Sequence, residues 1–211
     1  MVFKMLIPNV FTDVPEACPK RGVLHVGAHR CEELPLYLSL GLGFQDVVWV
    51  DANADLAPHG MSTYWVAAVS DTDGQAVTFH ITDNGQSSSL LALKDHLYEH
   101  PHVREVAQRP VTTITLNTLL LEKGVPYDRF DVMNLDIQGA ELLALRGASQ
   151  LLPHVKAIYT EVNIKELYEG CALLPEMDAF LAEYGFKRVA TSMTQHGWGD
   201  ALYIANAPGN M

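Results

Sequence analysis

Short apolar runs alternate along the chain with segments of helical spacing, a rhythm that predicts a parallel β-sheet covered on both faces by helices. The first strand is predicted near Gly22 to Val26, and a helix follows near Glu32 to Leu40, ended by Gly41 and Gly43. The second strand is 46-DVVWVDA-52 and the third lies near 63-TYWVAAVS-70. After the turn 71-DTDG-74, the run 76-AVTFHI-81 alternates like a half-exposed strand. The polar stretch 83-DNGQSSS-89 precedes a short helical piece around Leu91 to Glu99, stopped by Pro101. Next, 110-PVTTITLNTLL-120 reads as a strand running into a short helix. The strongest segment pairs a buried strand, 131-DVMNLDI-137, with the helix 139-GAELLALRGASQLL-152, whose Leu142, Leu143, Leu145 and Leu152 are available to the sheet. The strand 155-VKAIYTEV-162 and the helix 174-LPEMDAFLAEYG-185 follow, and Gly185 suits a helix C-terminus. The chain closes with 186-FKRVATSM-193, the turn 194-TQHGWGD-200 and 201-ALYIAN-206. Strands joined by so short a turn run antiparallel, because a parallel pair needs a crossover of about a dozen residues. The expected sheet is therefore mainly parallel, with one antiparallel strand inserted at its end.

Composition narrows the class. The 211 residues suffice for one domain, with residues 1–20 as an N-terminal extension, and 48% apolar content allows a full core. A net charge of -11 argues against nucleic acid and against an anionic membrane surface as partners. No apolar run approaches the ~20 residues needed to span a bilayer. The start, MVFKMLIPNVF, is broken by Pro8 and makes a poor signal peptide. Cys18, Cys31 and Cys171 form no close pair and read as reduced thiols of a cytoplasmic protein.

In open α/β sheets, ligands sit outside the C-terminal ends of the strands. Gly27, Ala28 and His29 follow the first strand, Asp51 and Asn53 the second, and Asp136 and Gln138 the strand 131-DVMNLDI-137. An acid ending the second strand, some twenty residues past a glycine turn, suits the two hydroxyls of a ribose. Asp51 would serve equally as a helix N-cap before 54-ADLAPHG-60. Gly27 either lets a cofactor approach closely or only makes a tight turn. The usual three glycines of a pyrophosphate loop are missing, which fits S-adenosylmethionine better than a dinucleotide. Ala68 and Val69, in 68-AVS-70, are small enough to let an adenine lie flat, or are ordinary strand-end packing.

The stretches 23-VLHVGAH-29, 67-AAVSDTDG-74, 115-TLNTLL-120 and, above all, 134-NLDIQGAELLALRGA-148 resemble FkbM-type methyltransferases. So do 160-TEVNIKELYEGCALLPEMDAFLAEYGF-186 and 197-GWGDALYIA-205, and the resemblance covers roughly residues 20 to 206. It implies a Rossmann-like sheet of seven strands, S-adenosylmethionine as cofactor with S-adenosylhomocysteine as product, and methylation of oxygen, often on sugars or natural products. The family more often has Lys-Ile-Asp-Val-Glu-Gly where this chain has Asn134-Leu135-Asp136-Ile137-Gln138-Gly139, and Thr-Leu-Asp where it has Thr115-Leu116-Asn117. These departures remove charge near the expected site.

A hydroxyl acceptor must lose its proton, so a base within hydrogen-bond reach is needed. Asp136 is expected beside the methyl group as catalytic acid–base, or else orients the cofactor or caps the helix near Gly139. Glu161 ends the next strand and is expected to line the same crevice, unless it forms a structural ion pair. His29 is a third candidate for base, or satisfies a backbone carbonyl. Gln138, Glu141, Ser88 and His196 are candidates for acceptor contact. Glu141 would also suit a helix dipole, Ser88 a flexible loop, and His196 a solvent-facing turn. A magnesium ion held by Asp136 and Glu161 is conceivable but has no support in the sequence. Pro101 breaks the helix that a zinc pair in 96-HLYEHPH-102 would need, so these read as surface histidines and no metal site is assigned. The expected activity is O-methylation of a small hydroxylated metabolite or glycan. The rivals are a non-catalytic cofactor-binding or scaffold protein and a nicotinamide-dependent oxidoreductase. The sequence leaves the oligomeric state open.

Overall fold

Runs buried at every position, rather than at alternate ones, form the centre of a seven-stranded sheet, as strands covered on both faces do. The computed structural model describes residues 5–7 and 9–206. Residues 1–4 and Pro8, which bear on the signal-peptide reading, lie outside the described residues, as do 207–211. In chain order the elements begin with α1 (Val10–Asp13), β1 (Val23–Val26), α2 (Leu34–Ser39), β2 (Val47–Asp51), β3 (Tyr64–Val66), β4 (Ala68–Val69) and β5 (Ala76–Thr82). They continue with α3 (His96–Glu99), β6 (Glu105–Ile114), α4 (Leu116–Glu122), β7 (Val132–Leu135), α5 (Glu141–Arg146) and β8 (Ala157–Asn163). The last three are α6 (Leu174–Glu183), β9 (Phe186–Met193) and β10 (Trp198–Ala205).

The large sheet has the order β3-β2-β1-β7-β8-β10-β9. Its first five strands are parallel, and β10 is antiparallel to both β8 and β9. This is the expected sheet with its inserted antiparallel strand. A small sheet of order β4-β6-β5 stands beside it. Two cores follow from the pleat. Leu24, Val48, Met133 and Leu135 pack with Leu116, Leu120 and Leu145 on one face. On the other, Val23, Val47, Trp49 and Val132 pack with Tyr37 and Phe11.

Several boundaries differ from the sequence expectation, each for a tertiary reason. The third strand divides: Tyr64–Val66 pairs with β2, whereas Ala68–Val69 pairs with β6 of the small sheet. The helix expected from Leu91 is confined to His96–Glu99, because Leu93 bridges to Tyr168 and the Lys94 amide donates to the Leu167 carbonyl at 2.9 Å. β6 begins at Glu105, well before Pro110, since its edge is paired along the whole of β5. α5 stops at Arg146, where a Cβ on Gly147 would lie 2.2 Å from the Ser70 carbonyl oxygen. Leu143 is only half-buried. Part of the expected N-terminal extension is integral to the core: Val10, Phe11 and Ala17 are buried, and the Leu6 amide donates to Asp200 Oδ2 at 2.7 Å.

Candidate active site

Parallel strands all present their C-terminal ends on one edge, so the residues just past β1, β2, β7 and β8 converge there. β10 runs the other way, and its beginning meets the same edge: Asp200 lies in register with Glu161 of β8. Gly27, Asp51, Asp136, Glu161 and Asp200 are thereby gathered from distant parts of the chain.

Gly27 has φ +96°, and a Cβ there would sit 1.8 Å from the Asp136 carbonyl oxygen. The glycine is thus required by the neighbouring strand's backbone, whatever ligand also passes. Beyond it the chain turns through left-handed conformations at His29 (φ 40°) and Cys31 (φ 59°). Asp51 holds this turn: its Oδ2 accepts from the His29 amide and its Oδ1 from the Asn53 amide, both at 2.7 Å. Each carboxylate oxygen keeps a further lone pair for a ligand. Burial pushes the Asp51 carboxyl above its ordinary range, and the two amides oppose that shift.

Two clefts meet at the strand tips. The first is lined by Gly27, His29, Asp51, Val69, Phe79, Asp136 and Ile137, and by Glu33, Gln86 and Ser88. The second is lined by Gln138, Glu161, Asp200, Tyr168, Trp198, His96, His100, His102 and His196, and again by Gln86. A small cavity between β1, β7 and β8 is bounded by Glu33, Asp136, Glu161, Asp200 and Tyr159.

Gln138 joins the clefts. It is held at φ 59°, and its Nε2 donates to Asp136 Oδ1 and to Glu161 Oε2, both at 2.7 Å. Tyr168 donates to Gln138 Oε1 at 2.7 Å and so fixes which end of the amide faces the acids. Burial pushes Asp136 and Glu161 upward, and the nearby acids add to it. Asp136 and Glu161 are the residues that would have to hold a magnesium ion. The amide nitrogen of Gln138 stands between them as a donor to both, so this set does not fit a cation. Among the described residues, no group of three or more His, Cys, Asp or Glu side chains is arranged to hold a metal ion.

The other candidates fall on different sides. His29 lines the first cleft, with its Nδ1 paired to Glu32 Oε1 at 2.6 Å, and is absent from the second. Ser88 also lines the first cleft, so it stands away from the acceptor position expected for it. Glu141 faces neither cleft: it is 2% exposed and its Oε1 accepts from the amides of Ile137 (2.9 Å) and Gly139 (3.2 Å). Through these bonds it folds the 137–139 turn. Ala28 and Ala68 are buried and line neither cleft, whereas Val69 lines the first. Asn53 caps the short 3-10 turn Ala54–Leu56, accepting from the Asp55 amide at 3.2 Å. Sequence reasoning missed Glu33 and Asp200. It also placed His96 on the surface, whereas that ring is buried. Asp200 had a signal: an acid at the start of an antiparallel strand lies beside the ends of the parallel ones.

The same acids set the pH response of the fold. Glu33 is pushed up to about 7, chiefly by burial, then by Asp136 and the other acids. Asp136, Glu141, Glu161 and Asp200 are shifted upward too. A carboxyl with a raised folded-state pKa binds a proton that the unfolded chain has lost. Its contribution is full below the ordinary carboxylate range and is lost as pH rises towards 7. His25, His96 and His100, lowered by burial, act in the opposite sense below their ordinary range, but the five raised acids outnumber them, so the ligand-free protein should melt at a higher temperature near pH ~5.5 than near pH ~8. A Tm that rises between those values contradicts the assignment.

A sheet of this order, with an acid closing its second strand and a cleft over the tips, belongs to the α/β class that holds ligands at its strand ends. The chain is a member of the FkbM methyltransferase family: the Methyltransferase FkbM domain matches residues 25–188. It is 32% identical over 124 residues to the 2-O-methyltransferase NoeI of Sinorhizobium fredii (strain NBRC 101917 / NGR234), a match covering 55% of this chain and 49% of that protein. The chain thus spans about half the length of the curated relative it matches. The crystal structure of magnesium protoporphyrin IX methyltransferase (ChlM) from Synechocystis PCC 6803 with bound SAM superposes with a TM-score of 0.48 at 11% identity, covering 91% of this chain and 73% of that one. No helix among the described residues is long and apolar enough to cross a membrane.

Proposed function

We propose that this protein is an S-adenosylmethionine-dependent methyltransferase that methylates a hydroxyl of a small polyhydroxylated or glycan acceptor. The observation that carries the reading is the Gln138 amide, which ties Asp136 in the first cleft to Glu161 in the second. Donor and acceptor would meet across that link.

The residues of the first cleft fit the cofactor. Asp51 has free lone pairs for a ribose diol. Ala67, Val69, Phe79 and Ile137 offer apolar walls to a purine. Glu33 and Asp136 offer acids to an ammonium group. When bound, the cofactor supplies an electrophilic methyl group on a sulfonium. The chain's own work is to hold the acceptor in line, exclude water and take one proton. We assign that proton to Glu161, a reading supported by its place in the second cleft and its burial at 5% exposure. The family membership supports the reaction class, and the similarity to the 2-O-methyltransferase NoeI supports oxygen as the accepting atom.

The reading is tested by incubating the protein with methyl-labelled S-adenosylmethionine and a panel of hydroxylated sugars. Label in the sugar is expected. Cofactor binding with no transfer to any acceptor would favour the non-catalytic alternative. Gln138→Leu removes the donor between the acids and should raise their pKa values further, cutting activity at neutral pH about tenfold and moving the rising limb of the pH profile upward. An unmoved limb would show that Gln138 does not set the acids' protonation.

A further inference from the structure

Four imidazoles line the second cleft, and the proposed reaction uses none of them. α3 and the turn after it supply His96, His100 and His102, and the turn between β9 and β10 supplies His196. Ring centroids lie 4.8 Å apart for His96 and His100, 4.7 Å for His100 and His196, and 6.1 Å for His100 and His102. His96 is 4% exposed, and its Nδ1 has no hydrogen-bond partner among the described residues. A buried polar atom left unpaired carries a desolvation cost that an arriving partner removes.

The charges around this wall define that partner. Among the described residues, no Lys or Arg lines either cleft. Lys165 is tied to Glu99, and Glu99 also pairs with His196 Nδ1 at 3.0 Å. Glu161 and Asp200 also line the cleft. Burial, then the neighbouring rings, lowers His96 to about 4 and also lowers His100. The rings thus hold back one another's protons. An anion among them would accept several N–H bonds and offset that repulsion, which a neutral hydroxyl does not do.

We propose that the histidine wall binds an oxyanion carried by the acceptor, with the hydroxyl to be methylated lying towards Glu161. This rests on the reading of the second cleft as the acceptor site. The acceptor class is accordingly a hydroxylated compound with a carboxylate, phosphate or sulfate, such as an acidic or phosphorylated sugar.

Inorganic phosphate alone is the first probe, read by the histidine ring-proton resonances of the whole protein. Phosphate at about 10 mM should move the His96 and His100 resonances and raise their titration midpoints by about one unit or more. His100→Gln and His196→Gln should each weaken phosphate binding about tenfold. In turnover, glucuronate and glucose 6-phosphate distinguish the two anion sources, and the preferred one should exceed glucose about tenfold or more in kcat/KM. Resonances that ignore phosphate, or shifts that persist unchanged in both variants, would overturn the proposal, as would equal turnover of glucose. Failure of S-adenosylhomocysteine to bind would instead strike the methyltransferase reading, and the phosphate titration would still decide this one.

Discussion

Asp51→Ala should weaken S-adenosylhomocysteine binding by roughly 30- to 1000-fold. The arithmetic is that of two hydrogen bonds to a charged acceptor, each about 1.5–3 kcal/mol, with partial compensation by water. The substitution also frees the amides of His29 and Asn53, which Asp51 holds at 2.7 Å, so the turn after β1 loses its anchor. Asp51→Asn separates the two effects. It keeps one acceptor oxygen and should cost about tenfold. Calorimetry with both variants, beside a melting curve for each, checks the assignment. A well-folded Asp51→Ala protein that binds as tightly as the wild type would remove Asp51 from the cofactor site.

Glu161→Gln should lower kcat by about 10² to 10⁴, the range for losing a general base, while S-adenosylhomocysteine binding stays unchanged. The wild type's pH profile follows from the direction of its shifts. Burial and nearby acids hold Glu161 and Asp136 in the protonated form above the ordinary range. The active base is the ionised form, so activity should climb as pH rises through neutrality, with an apparent midpoint belonging to the coupled pair. Glu161→Gln should flatten that limb. A variant with wild-type kcat and an unchanged profile would assign the proton to another group.

Much of the sheet was legible because buried parallel strands write themselves as predominantly apolar runs. VLHV, VVWVD and VMNL were each placed within a residue or two of the observed strands. The antiparallel strand was legible for a different reason, the shortness of the turn before it. What the sequence hid was long-range. Whether Ala68 and Val69 continue a strand or leave it depends on β6, far along the chain. Whether Leu91 to Asp95 coils into a helix depends on Tyr168 and Leu167 across the cleft. The site divides in the same way. Asp51 ends a strand, Asp136 follows one and Glu161 lies two residues before the end of one, so position in the pattern drew attention to them. Glu141 sat beside them in sequence, yet its carboxylate folds back on the backbone of its own turn. Asp200 and the four histidines come together only through the placement of β10 and the loops, which no local pattern records.

The most direct test of the account is a calorimetric titration of the wild-type protein with S-adenosylhomocysteine, run beside NAD. The account predicts one-site binding of S-adenosylhomocysteine, with Kd on the order of micromolar, and no comparable binding of NAD. Tight binding of NAD with none of S-adenosylhomocysteine would contradict it and turn the first cleft over to the oxidoreductase reading.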